Sequence, residues 1–241
     1  MSDINDHLIL ICGFPSTGKS ASLVNLRNPE GVVYLNTEAG KRLPFKSKFT
    51  THTITDVFQV PEAIEAYESD PTVHTIVVDS LTFLMDMFES EEVLKSSNKM
   101  GAWSDYQQYF KDLLQQKVAR SSKKIIFTAH IQSDLTDKGV FECKIPVKGA
   151  LKGNGLEAYF SVIVYTKRMA VKELKPYVSD ILNITEKNER EGYKYVYQLQ
   201  LTKDSLGDRI RGPMGMFDEN QVFMDNDAQL LLDQLDIYYG E

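Results

Sequence analysis

Only two cysteines and a single tryptophan occur in the 241 residues. Cys12 and Cys143 belong to no CxxC pair or Cys/His spacing, so neither a disulfide framework nor a zinc site is suggested, and the setting reads as reducing. No apolar run approaches the roughly 18 residues of a membrane span. The opening MSDINDH is polar and acidic and lacks the basic start of a signal peptide. A cytoplasmic protein with no membrane partner is expected. Cations are also in the minority: Lys and Arg number 27 against 34 Asp and Glu, a net charge of -7. That balance excludes a histone-like or tail-driven nucleic-acid binder but leaves room for a local basic groove. With 14 glycines and 8 prolines, no internal repeat and no low-complexity linker, fibrous and disordered classes are excluded as well.

What remains is the composition of an ordinary globular chain, 42% hydrophobic and 25% charged, long enough to bury a core without staples. A single domain over residues 1–241, with its core at about 8–238, is the simplest expectation. Short β-branched runs at Leu8–Cys12, Val32–Leu35, Thr75–Val78, Lys124–Phe127 and Val162–Tyr165 predict strands covered on both faces, as in a parallel sheet. Tyr195–Leu201 alternates and predicts a half-exposed strand. Helices are predicted over Ser20–Leu26, Pro61–Ser69, Trp103–Arg120 and Asp227–Tyr239. The alternation gives a three-layer α/β/α fold with a mostly parallel central sheet. Lys41–Thr51 and Leu135–Gly155 read as irregular, and the charged run Thr185–Gly192 as a solvated hairpin tip.

Gly13-Phe-Pro-Ser-Thr-Gly-Lys-Ser20 matches GxxxxGK[ST] in full, after an apolar strand and before a helix. Backbone N–H groups of such a loop point at phosphate oxygens, and the following helix adds its positive end. Gly13, Phe14, Pro15, Ser16, Thr17, Gly18, Lys19, Ser20 and Ala21 are therefore the expected nucleotide-binding residues. Lys19 is expected at the β- and γ-phosphates and Ser20 on Mg²⁺, with ATP the default nucleotide. Asp79, ending the run Thr75-Ile-Val-Val, is the expected acidic partner of the ion. Glu38, past the tip of a strand read as lying beside the loop, can polarise an attacking water. At the end of the fourth strand His130 or Gln132 can sense the γ-phosphate, with an ordinary interior histidine the alternative for His130. Lys41, Arg42, Lys46 and Lys48 form a basic cluster that can line a polynucleotide path or bind nucleotide. The preferred reading is that it keeps an irregular loop soluble.

In this order, GFPSTGKS, YLNTEAG, TIVVDS and FTAHIQ resemble the RecA/RadA-type ATPase core over residues 8–170. VDSLT, WSDYQQYF and LTKDSLGDRIRGP are most similar to the short phage-encoded ATPases of recombination and single-strand annealing. The resemblance implies a DNA-stimulated ATPase acting on single-stranded DNA, in the host cytoplasm if phage-encoded. It implies assembly into a ring or filament of like subunits and contact with a single-strand-binding protein. It makes Glu38 the water-activating residue and Gln132 the γ-phosphate sensor. Lys144, Lys148 and Lys152 would face DNA from a mobile loop, and Lys203, Arg209 and Arg211 would be cationic fingers reaching a neighbour's nucleotide. With so few residues ahead of the first strand, no N-terminal domain is expected. The alternatives are a P-loop small-molecule kinase and a nucleotide-dependent scaffold or loader for replication proteins.

Overall fold

A computed structural model describes residues 5–137, 139, 141–152 and 155–240, the side chains of Ala150 and Lys152 excepted. In chain order the strands are β1 (Leu8–Gly13), β2 (Val32–Asn36), β3 (Thr50–Thr53), β4 (Thr75–Asp79) and β5 (Lys124–His130). They continue with β6 (Gln132–Leu135), β7 (Phe141–Lys144), β8 (Val162–Ala170), β9 (Tyr193–Gln198) and β10 (Phe223–Asp225). The α-helices are α1 (Gln59–Glu68), α2 (Leu81–Phe88), α3 (Lys99–Asp112), α4 (Val171–Leu174), α5 (Glu186–Glu191) and α6 (Ala228–Tyr239).

Eight strands form one sheet in the order β10-β9-β8-β1-β5-β4-β2-β3. From β8 to β3 every pairing is parallel; β9 runs antiparallel to both its neighbours. The pleat of β1 explains the three layers. Alternate side chains point to opposite faces. Leu8, Leu10 and Cys12 join the cluster made with Val60 and Ile64 of α1, Leu84 and Phe88 of α2, and Tyr106 and Phe110 of α3. Ile9 and Ile11 face the other way, onto Leu23 and the Leu231, Leu232 and Leu235 stripe of α6. Burial on both faces is why these strands are continuous β-branched runs.

Helix ends follow local chemistry. The Asp227 side chain accepts from the backbone N–H of Gln229 and Leu230, capping α6, which ends at Gly240 with φ 79°. The run Thr185–Gly192 is not a hairpin tip but helix α5. Thr185 and Asn188 make a reciprocal capping box at its start, and Gly192 with φ 76° closes it. Trp103–Arg120 belongs to a longer helical stretch that continues past α3 as a π turn over Leu113–Lys117 and a 3-10 turn over Val118–Arg120. Two segments read as irregular border on strands or hold them: β3, the sheet edge, starts at the end of the first, and β7 lies in the second, paired with β6 just before it as a separate antiparallel hairpin. Among the described residues no helix is long and apolar enough to cross a membrane.

Candidate functional site

Four parallel strands end at one edge of the sheet, the place where open α/β sheets bind ligands. Their ends carry Gly13 (β1), Asn36 (β2), Asp79 (β4) and His130 (β5). The glycine loop leaves β1 there. Gly13 is required by space: a Cβ would lie 2.1 Å from Thr166 Oγ1 and 2.5 Å from Thr17 Oγ1. Gly18 holds φ +100°, a conformation that disfavours any side chain. Thr17 Oγ1 contacts Thr166 Oγ1 on β8 at 2.6 Å, and the Asn226 side-chain amide donates to the Gly18 carbonyl at 2.9 Å, so the loop is fixed from two sides. The segment after it, Ser20–Asn25, is a six-residue 3-10 helix and not a full α-helix. The positive helix end expected from the sequence is correspondingly short, and the loop carries more of the phosphate site.

A cleft of ≈ 430 Å³ opens over the loop. Ser16, Gly18, Lys19, Ser20 and Ala21 of the loop line it together with Tyr34, Glu38, Lys41, Arg42 and His130. Lys19 is 6% exposed and donates to the carbonyls of Gly13 and Phe14, both at 2.9 Å. Burial pushes its ammonium down to about 8, against the pull of Asp79 and Glu38. Behind Ser20 stands Asp79, 1% exposed. It accepts from Ser20 Oγ at 2.7 Å, from the Tyr34 hydroxyl at 2.7 Å and from the Thr128 hydroxyl. Burial and the neighbouring Asp79 charge drive the Tyr34 phenol far above its usual range, so it stays a donor. A serine hydroxyl backed by a carboxylate is an oxygen donor set that fits Mg²⁺. Ser20 would hold the ion, with Asp79 orienting it, and the ion would offset phosphate charge.

Glu38 comes to the cleft from farther away than its sequence suggested. Strands β5 and β4 lie between β1 and β2, so its strand is not beside the loop. The turn after β2 nevertheless brings it in: Glu38 N donates to Asn36 Oδ1 at 2.9 Å, and the Thr37 hydroxyl is tied to both backbone groups of Ser80. Glu38 is 8% exposed. Its Oε1 lies 3.3 Å from His130 Nε2 and its Oε2 accepts from Lys41 Nζ at 2.7 Å. The His130 hydrogen bond, followed by Lys41, holds its carboxyl at about 2. On the other side His130 Nδ1 is 3.4 Å from Lys19 Nζ. Lys19, His130, Glu38 and Lys41 therefore form a chain along the cleft lining, which sets a carboxylate held well below its usual range two hydrogen bonds from the loop lysine.

Several expected residues lie elsewhere. Gln132 is exposed on β6, where its amide meets Asp134 at 3.2 Å; the strand-end residue at the cleft is His130. Phe14 and Thr17 line not this cleft but a neighbouring cavity of ≈ 1020 Å³ that shares Pro15 and Ser16 with it, and Lys203 lies on its wall. Arg209 bonds Glu142 at 2.8 Å and approaches Glu157 at 3.4 Å, and Arg211 donates to the carbonyls of Ala158 and Phe160. Both guanidinium groups are bonded within their own chain. Lys144 pairs with Asp134 at 3.2 Å and Glu142 at 3.7 Å, and Lys148 with Glu89 and Asp86. The Lys152 side chain lies outside the described ones. Conversely, Lys41 and Arg42 border the cleft instead of merely solvating a loop, while Lys48 pairs with Glu30 at the surface. The spacing of Lys41 three residues past Glu38 was the available signal. Tyr34, hidden in an apolar run, gave none.

Fold and loop together define a P-loop NTPase. A family model described as an AAA domain matches residues 6–204, and the chain belongs to that family. Its site is accordingly one for nucleotide binding and hydrolysis. No curated protein was found to match the chain.

Proposed function

We propose that the chain is a RecA-like ATPase that uses Mg²⁺-ATP and acts on single-stranded DNA in phage-type recombination, annealing or repair. In this reading it works in the cytoplasm as a ring or filament of like subunits, alongside a single-strand-binding protein, and DNA raises its turnover. The observation that carries the reading is the continuity of two elements. Strand β5 ends at His130, between Lys19 and Glu38, and one residue later the chain enters the β6–β7 hairpin. A change at the terminal phosphate has only Ile131 to cross before it reaches that exposed hairpin. Lys144 on β7 is a cation of that hairpin, and it is shared with Asp134 and Glu142. DNA phosphates must displace those acids, which makes the interaction salt-sensitive.

The test is steady-state ATP turnover with and without single-stranded DNA across a salt series. Stimulation that fades as salt rises is the expected result. Turnover indifferent to DNA at every salt concentration removes the DNA role. Release of ADP that depends on a small-molecule acceptor would replace the reading with a kinase, and tight ATP binding without turnover would replace it with a scaffold or loader.

A further inference from the structure

Resting on the reading of the cleft as an ATP site, we infer that Lys41 is a second lysine for the terminal phosphate, and the residue that distinguishes ATP from ADP. Three observations place it there. Its ammonium group is 2.7 Å from Glu38 Oε2, and Glu38 is two hydrogen-bond steps from Lys19 through His130. Lys41 lines the same cleft as Lys19 and Ser20. Its side chain is 67% exposed while that of its partner Glu38 is 7% exposed, so the lysine is the movable member of the pair and the carboxylate the fixed one.

Charge explains why a second cation is needed. Among the described residues Lys19 is the only buried cation at the loop, and its charged form is already disfavoured by burial. Asp79 and Glu38 add two negative charges nearby. A nucleoside triphosphate would add about four more in water, of which Mg²⁺ offsets two. A mobile ammonium at the Glu38 end of the cleft meets the phosphate farthest from the nucleoside, because the Lys19 end is fixed by the glycine loop. Lys41 then bridges the terminal phosphate and Glu38, which keeps the carboxylate beside the phosphorus that water attacks. With a diphosphate no group reaches that end, and Lys41 stays on Glu38 alone.

The test is titration calorimetry with Mg²⁺ of the wild type, Lys41→Ala and Lys41→Arg, using ADP and a slowly hydrolysed ATP analogue, paired with steady-state turnover. Lys41→Ala is expected to weaken the ATP analogue by about tenfold or more, the size of one charge-assisted hydrogen bond, and ADP by less than about twofold. Lys41→Arg, which keeps the charge, is expected to restore most of the preference. Equal losses for both nucleotides, or none, overturn the inference. So does faster turnover of Lys41→Ala with unchanged affinities, which would make the lysine a brake on Glu38. If the wild type binds neither nucleotide, the reading of the cleft fails first and the inference falls with it.

Discussion

The Ser20 hydroxyl donates to Asp79 at 2.7 Å, joining the end of the glycine loop to the tip of β4 across the width of β5. The bond fixes the loop hydroxyl that the motif assigns to a divalent cation, and Tyr34 and Thr128 hold the carboxylate as well. Three hydroxyl donors converge on one buried acid, so the group must be an acceptor on both oxygens.

Asp79→Asn is therefore expected to fail in two ways. The amide turns a donor toward one of the hydroxyls that donate to Asp79, costing about 1–3 kcal/mol of stability as a buried hydrogen-bond mismatch. It also removes the acceptor that orients Ser20, so Mg²⁺-dependent turnover should fall by about 10²-fold or more, as removal of an electrostatic group does. Urea unfolding reads the first effect and turnover against Mg²⁺ concentration the second; a stable variant with normal Mg²⁺ dependence would contradict the assignment.

Glu38 supplies a pH prediction. Its carboxyl is held at about 2, below the 4.5 of an unperturbed glutamate, chiefly by His130. A carboxylate whose folded value is depressed contributes stability that is complete above about 4.5 and lost as pH falls toward about 2. His130→Ala should make stability depend less steeply on pH within that window, measured by urea unfolding at stepped pH. Above pH 4.5 Glu38 stays ionised, so an acid limb in turnover centred near 4.5 would show that its partners do not hold it as described.

Arg209 is a clamp within its own chain. It joins Glu142 of β7 to the buried Glu157, and the neighbouring backbone bonds Cys143 N to the Gly207 carbonyl. Arg209→Ala should leave Glu157 without its cation, cost about 1–3 kcal/mol and make the β6–β7 hairpin more sensitive to limited proteolysis. Unchanged proteolysis, with activity restored by mixing in subunits that keep Arg209 but lack Lys19, would instead make Arg209 a group supplied to a neighbour.

The sequence was most readable where burial is two-sided. The runs of β1, β2, β4, β5 and β8 are β-branched because helices cover both faces, and each was recognisable for that reason. Strands β3 and β6 are exposed along their whole length and read Thr-Thr-His-Thr and Gln-Ser-Asp-Leu, so no apolar pattern marks them. Helix α5 has no buried residue at all; only Thr185, Asn188 and Gly192 announce it, through capping rather than periodicity. Within the site, the loop and Asp79 were legible because their chemistry is tied to a fixed spacing. The strand-end residue was not. Thr128 and His130 share a face of β5, but the strand stops at His130, so the parity that would place Gln132 on that face is lost. Arg209 and Lys144 look like free cations in sequence, because the acids that neutralise them are brought up by the fold.

The most direct measurement is ATP hydrolysis by the wild type and Glu38→Gln, each with and without single-stranded DNA, with nucleotide binding followed in parallel. If Glu38 activates water as proposed, its loss should lower turnover by about 10²–10⁴-fold and abolish DNA stimulation, while ATP still binds through Lys19 and the glycine loop. A Glu38→Gln protein that hydrolyses ATP at the wild-type rate would show that the carboxylate between His130 and Lys41 is not the group that activates water.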